Sequence, residues 1–136
     1  MRFRIEDIYI CSDNERKTKA KNLSFLIDSG KYIRSKKAII KTLLAQKPPG
    51  MEPLKKFDAL IVFRTRKDPT NLIKILLDSM QKAQIIENDK KWGEINLRNH
   101  GSGKDCVIID IKQNYGILFE GEEDVSRNHT LLSQER

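Results

Sequence analysis

Apolar positions along this chain follow two periods, and the switches between them mark out its elements. From Phe3 to Ile10, apolar residues at Phe3, Ile5, Ile8 and Ile10 alternate with polar ones, with one slip. That pattern predicts a strand. Cys11 to Lys31 is polar, basic and without period, and is expected to form a long loop. Lys31-Tyr32-Ile33 reads as a short extended piece. Ser35 is a suitable N-cap for a helix to about Gln46, with Ala38, Ile39, Leu43 and, at its margin, Leu44 facing inward. Pro48-Pro49-Gly50 stops that helix. Phe57 to Arg64 is the clearest strand. Phe57, Ala59, Ile61 and Phe63 form one face and Leu60 and Val62 the other, so a central place in a sheet is expected.

A second helix is predicted from Asp68 to about Ala83. Asp68 is placed to cap it, and Pro69 takes the first helical position. Leu72, Ile73, Ile75, Leu76, Leu77 and Met80 make a wide apolar arc, and Asn71, Lys74 and Asp78 fall on the opposite, polar arc. Glu87 to Lys90 is a polar turn. Trp92 to Arg98 and Asp105 to Lys112 read as strands, joined at His100 to Gly103 as an antiparallel hairpin. Tyr115 to Phe119 suggests a last short element, and residues 120–136, without apolar period, a mobile tail. The order β-α-β-α-β-β implies an α+β fold: one two-layer domain over residues 1–119, with two helices on one side of a mixed sheet of about four strands.

Composition narrows the function classes. A chain of 136 residues suffices for one ordinary domain. No apolar run reaches the roughly 20 residues of a membrane helix, and the acids within the N-terminal apolar run argue against a signal peptide. Cys11 and Cys106 are far apart and suit neither a zinc site nor a disulfide scaffold, so reduced, buried thiols are expected. The net charge is +7, with nine Lys or Arg against the single acid Asp28 between Arg16 and Lys41. Lys55, Lys56, Arg64, Arg66 and Lys67 add a second basic cluster. Such fields attract polyanions, although a lysine-rich surface is also simply well solvated.

Chemistry concentrates between Lys67 and Glu94. Asp68 precedes the second helix, Lys74 lies inside it, and Asp89 follows in the turn, 21 residues after Asp68. Magnesium needs only one or two protein carboxylates when phosphate and water supply the rest. A metal on Asp68 and Asp89 would activate water at phosphorus, and Lys74 would offset developing charge. Each residue also has a plain role: Asp68 as a helix cap, Asp89 as a surface turn residue, and Lys74–Asp78 as an exposed helix pair. His100 and His129 lack partners at ligand spacing. Gly101 to Lys104 lacks the glycine spacing and following helix of a phosphate loop.

The spacing of Asp68, Asn71, Lys74, Asp78 and the Asn88-Asp89 turn resembles the core signature of the RusA-type Holliday junction resolvases. Glu94, the Ser12-Asp13-Asn14 loop and Gly30-Lys31-Tyr32 extend the likeness. The resemblance spans most of the chain to about Lys112, with its specific part at 67–94. It implies a metal-dependent endodeoxyribonuclease that nicks four-way DNA junctions as a homodimer, in a bacterial or phage-infected cytoplasm. Asp68, Asp89 and Asp78 would hold Mg2+ or Mn2+, with Lys74 catalytic. The expected DNA contacts are Arg16, Lys17, Lys19, Lys21, Arg64, Arg66 and Asn71. One position departs from the pattern: Thr70 stands where the family has a second Asp, which leaves the site one negative charge short. A junction-binding relative that no longer cuts is the alternative, and a scaffold protein with merely solvating charges is a third.

Overall fold

A computed structural model of the chain describes residues 1–19, 26–101 and 103–114. The elements are β1 (Arg2–Glu6), β2 (Lys17–Lys19), β3 (Leu26–Asp28), α1 (Gly30–Gln46), β4 (Phe57–Arg64), α2 (Ile73–Lys82), β5 (Trp92–Asn99) and β6 (Cys106–Gln113). Two 3-10 turns, Asp13–Glu15 and Pro69–Asn71, lie between them. The expected element at 115–119, the tail and Lys21 lie outside the described residues.

The fold is α+β, as the pattern predicts. Four strands form a mixed sheet in the order β1-β6-β4-β5, and β4 is an inner strand. β4 runs parallel to β5 and antiparallel to β6, and β6 is antiparallel to β1. Both helices pack on the sheet. Phe3, Ile5, Phe57, Ile61, Phe63 and Ile109 meet Tyr32, Ile39 and Leu43 of α1 and Ile75, Leu76 and Met80 of α2 in one core. Each such large apolar side chain, fully buried, is worth about 1.5–3 kcal/mol. Both cysteines are buried and free. Among the described residues no helix is long and apolar enough to cross a membrane.

Four local expectations are corrected. β5 and β6 do not form a hairpin: β4 lies between them. Burial explains the order. β6 places Val107, Ile109 and Ile111 in the core, whereas the inward residues of β5, Ile95 and Leu97, are only half-buried. The weaker strand therefore takes the edge. The connection crosses the end of β4, where His100 N donates to Phe63 O at 2.8 Å and Thr65 N to Gly101 O at 3.0 Å.

The first strand stops at Glu6, because Asp7 takes a left-handed φ of 61°. That is the slip in the alternation. The stretch 11–31 is not one long loop, since β2 and β3 pair antiparallel within it. Finally, α1 starts at Gly30, capped by Ser29, whose Oγ accepts from Tyr32 N at 3.1 Å. Lys31, Tyr32 and Ile33 are therefore helical. Ser35 is a buried interior residue that accepts from Cys11 N and donates to Tyr9 O. Starting one and a half turns earlier puts Tyr32 inside, while Leu44 is 52% exposed.

Candidate functional site

The unit β4–α2–β5 is a parallel β-α-β crossover. Its helix lays Ile75, Leu76 and Met80 into the core, and Asp78 then falls beside α1. Tyr32 of α1 is 1% exposed and donates its hydroxyl to Asp78 Oδ2 at 3.0 Å. Asp89 comes from the turn after α2, fixed where its amide donates to Gln81 Oε1 at 2.8 Å. Its carboxyl and that of Asp78 share one lysine as a neighbour. Lys74 Nζ stands 3.5 Å from Asp78 Oδ1 and 3.9 Å from Asp89 Oδ2. Three of the expected residues, Lys74, Asp78 and Asp89, thus form one group.

The electrostatics of the group are opposed. Burial pushes the Asp78 carboxyl up, but hydrogen bonds with Asp89 and Tyr32 and the charges of Lys74 and Lys36 outweigh it. The net result lies below the ordinary aspartate value. Tyr32 moves the other way: burial first, then its bond to Asp78, raises its hydroxyl well above the ordinary tyrosine range. It therefore remains a donor. The Arg16 guanidinium sits 5.1 Å and the Lys36 ammonium 5.9 Å from the centre of the Tyr32 ring. Arg16 Nε is 3.6 Å from Asp28 Oδ1. This residue, expected on DNA, is in part committed to the protein itself.

Asp68 is placed differently. It precedes the 3-10 turn that leads into α2, and caps that turn rather than the α-helix. Its Oδ1 accepts from the Thr70 amide at 3.0 Å and the Thr70 hydroxyl at 2.8 Å. Those two bonds, the hydroxyl first, hold its carboxyl below the ordinary range. Among the described residues, no hydrogen bond or ion pair joins it to the Asp78–Asp89 group. Half-buried Asn71 ends the same turn, its amide donating to Asp68 O at 3.0 Å. Of the other basic residues, Arg64 is exposed at the end of β4 and donates to Lys104 O at 3.0 Å, and Arg66 is exposed beyond it. Lys17 and Lys19 lie on β2.

A second polar node joins the Ser12 loop to the motif. Glu15 receives the Tyr9 hydroxyl, the Lys31 ammonium at 3.0 Å and the Ser12 amide at 3.2 Å. Lys67 Nζ lies 3.9 Å from it and donates to Ile10 O at 2.6 Å. The Tyr9 bond above all, against a burial penalty and helped by Lys31 and Ser12, holds the Glu15 carboxyl at about 2.

Sequence reasoning missed Tyr32, Lys36, Gln81 and this node. Reading Ser29 as the cap would have placed Tyr32, Ser35, Ile39 and Leu43 on one helical stripe and exposed the partner of Asp78. Gln81 and Glu15 carry no comparable signal, because their roles depend on how distant segments fold back.

Among the described residues no group of three or more His, Cys, Asp or Glu is placed to hold a metal ion. Asp78 and Asp89 supply two carboxyl groups, a donor set that suits a hard divalent cation completed by water and phosphate. Lys74 already occupies the cationic place beside them. No family model matches this chain, and no curated protein matches it.

Proposed function

We propose that this chain is a divalent-metal-dependent endodeoxyribonuclease of the RusA type. It nicks four-way DNA junctions as a homodimer in the cytoplasm of a bacterial or phage-infected cell. The observation that carries the reading is the convergence of Asp78, Asp89 and Lys74 at one place on a strongly basic chain. The carboxyl pair has a chemical preference. Two carboxylates gathered at one lysine repel each other, and a divalent cation bound between them would offset that repulsion.

Asp78 and Asp89 would hold Mg2+ or Mn2+, which supplies a Lewis acid and an activated water for attack at phosphorus. The chain's own groups do the positioning. The Tyr32 hydroxyl fixes the rotamer of Asp78 and favours its ionised form. Gln81 anchors the turn that carries Asp89. Lys74 is 45% exposed and leaves the carboxylates for a phosphate oxygen, where it offsets developing charge. Arg64, Arg66, Lys17, Lys19 and Lys21 hold the backbone of the arms by neutralising phosphates. Two matched subunits answer the near two-fold symmetry of a junction.

One observation favours a second reading, a relative that binds junctions without cutting. Thr70 replaces an acid of the family pattern, and its hydroxyl ties up Asp68. Nicking of an end-labelled junction in Mg2+, Mn2+ or chelator separates the two readings. The nuclease gives metal-dependent nicks and none in chelator. Binding without nicks in either metal, restored by Thr70→Asp, is the outcome for the non-cutting relative. A wild type that binds no junction overturns both.

A further inference from the structure

Beside the Ser12 loop, an open cavity of about 370 Å³ lies between the chain after β1 and the start of α1. That volume falls at the small end of the range for ligand clefts, roughly 300–1,000 Å³. Its walls include Ile8, Tyr9, Lys31, Arg34 and Ser35. We infer that this cavity is a nucleotide subsite, in which one unstacked base lies against the Tyr9 ring and its phosphate is held by Lys31 and Arg34.

Among the described residues Tyr9 is one of five large hydrophobic side chains left exposed, at 46%, yet it is held at several points. Its hydroxyl donates to Glu15, and its carbonyl accepts from Ser35 Oγ at 2.6 Å. Its neighbours on either side, Ile8 and Ile10, pack in or against the core. An exposed aromatic ring whose orientation is fixed in advance loses little freedom on stacking, and every base has a face to stack. The cations are equally placed. Lys31 and Arg34 are three apart on α1, hence neighbours on one side of the helix. The Arg34 guanidinium lies back over Gly30, where a Cβ would stand 3.0 Å from its Nη1. The Lys67 ammonium lies over the Tyr9 ring at 3.7 Å from its centre, so the base takes the other face, and Lys31, 5.4 Å from the centre, exchanges its 3.0 Å bond to Glu15 for the phosphate. The one acid in the wall, Asp7, is ion-paired with Lys104, which offsets its charge.

A base paired and stacked in duplex DNA cannot enter such a cavity, whereas a base freed from its stack can. The cavity also adjoins the carboxyl group in the chain. Lys31 precedes Tyr32, which holds Asp78, and Glu15 precedes Arg16, which lies on the Tyr32 ring. The inference rests on DNA being the ligand, and it assigns this face to an unpaired strand rather than to a duplex arm.

The test is fluorescence anisotropy of the full chain with three probes: a labelled thymidine oligomer, the same oligomer made of abasic sugars, and a duplex of equal length. The variants are Tyr9→Leu, which removes the ring, and Tyr9→Phe, which keeps the ring but loses the bond to Glu15. Tyr9→Leu is expected to weaken the thymidine oligomer about 10-fold, the scale of one lost base stack. It should leave abasic and duplex binding within about 2-fold, with Tyr9→Phe close to wild type. Equal weakening of the thymidine and abasic oligomers, or no weakening of either, overturns the subsite. Tyr9-sensitive binding of free thymidine monophosphate without matching sensitivity of the oligomer overturns the assignment to a strand. If the wild type nicks junctions but Tyr9→Leu changes no oligomer affinity, the subsite alone falls. If the wild type binds none of the three probes and no junction, the nuclease reading falls with it.

Discussion

Asp68 and Asp78 are both acids of one motif, and both are held below the ordinary aspartate range. They reach that state in opposite ways. Asp68 is exposed and draws its two side-chain bonds from Thr70, two residues on, inside a single turn. Asp78 is half-buried, against an electrostatic penalty, and draws on Tyr32 of α1, Lys74 of its own helix and Asp89 of the following turn. An acid satisfied inside its own turn behaves as a cap, and keeps its partners whenever that turn forms. An acid satisfied by three separate segments exists as a site only in the folded chain. The comparison shows where the tertiary structure gathers acids: at the junction of α1, α2 and the following turn rather than at the strand-to-helix junction that holds Asp68.

The comparison breaks or holds first on paired asparagine variants. Asp78→Asn is expected to reduce metal-dependent nicking by about 10²–10³-fold, the scale of losing one charged stabiliser in an active site. Junction affinity should be retained. Asp68→Asn keeps the cap, because Asn caps helices as well as Asp, and should cost less than about 10-fold in rate. Rates from single-turnover cleavage of a labelled junction decide it. Equal losses for the two variants would return Asp68 to the site as a full ligand.

Much of this architecture is legible in the sequence, and the reasons are physical. The strong alternation of Phe57 to Arg64 and the wide apolar arc of α2 each depend on local period, which survives without knowledge of tertiary neighbours. The α+β class follows from their order. The true partners of β5 and β6 are not legible, because strand pairing is non-local. Only the relative burial of Ile95 and Leu97 against Val107, Ile109 and Ile111 decides which strand takes the edge. The spacing of Lys74, Asp78 and Asp89 is informative because helix and turn geometry fix it. Tyr32 is not, since one misplaced cap, Ser35 for Ser29, turns its helix into an extended piece.

Tyr32→Phe sharpens the comparison by removing one oxygen from the convergent site. The ring stays buried, and the 3.0 Å bond to Asp78 is lost. The nicking rate should fall about 10-fold with junction affinity unchanged, and stability should fall by about 1 kcal/mol, the usual net value of such a bond. Urea unfolding beside single-turnover cleavage checks both. A loss of stability with no change in rate would make Tyr32 a packing residue and nothing more.

Binding is expected to separate from chemistry along the same division. Lys17 and Lys19 lie on β2, a different element from those that carry the carboxyl pair. Replacing Lys17, Lys19 and Lys21 together by Ala should flatten the dependence of log affinity on log salt by about 0.9 for each phosphate no longer neutralised. The cleavage rate at saturating protein should change little. An unchanged slope in a salt titration would place the DNA on another face.

The smallest effect belongs to the Glu15 node, which holds the Ser12 loop against α1 and Lys67. Its carboxyl is depressed from the ordinary glutamate value of 4.5 to about 2, first by the Tyr9 hydroxyl. A depressed folded-state pKa fixes the sign: the ionised group favours the folded chain. Its contribution is complete above the unfolded value, and it is lost as pH falls through 4.5 towards about 2. Glu15→Gln should therefore lower stability at pH 7 by roughly 1 kcal/mol, discounted for the group's partial exposure. The gap to wild type should close across that acid window, where both chains carry a neutral side chain at position 15. Urea midpoints of the two proteins between pH 7 and pH 2 measure it. A gap that stays constant would mean that shape, rather than the charge of Glu15, holds the loop against Tyr9.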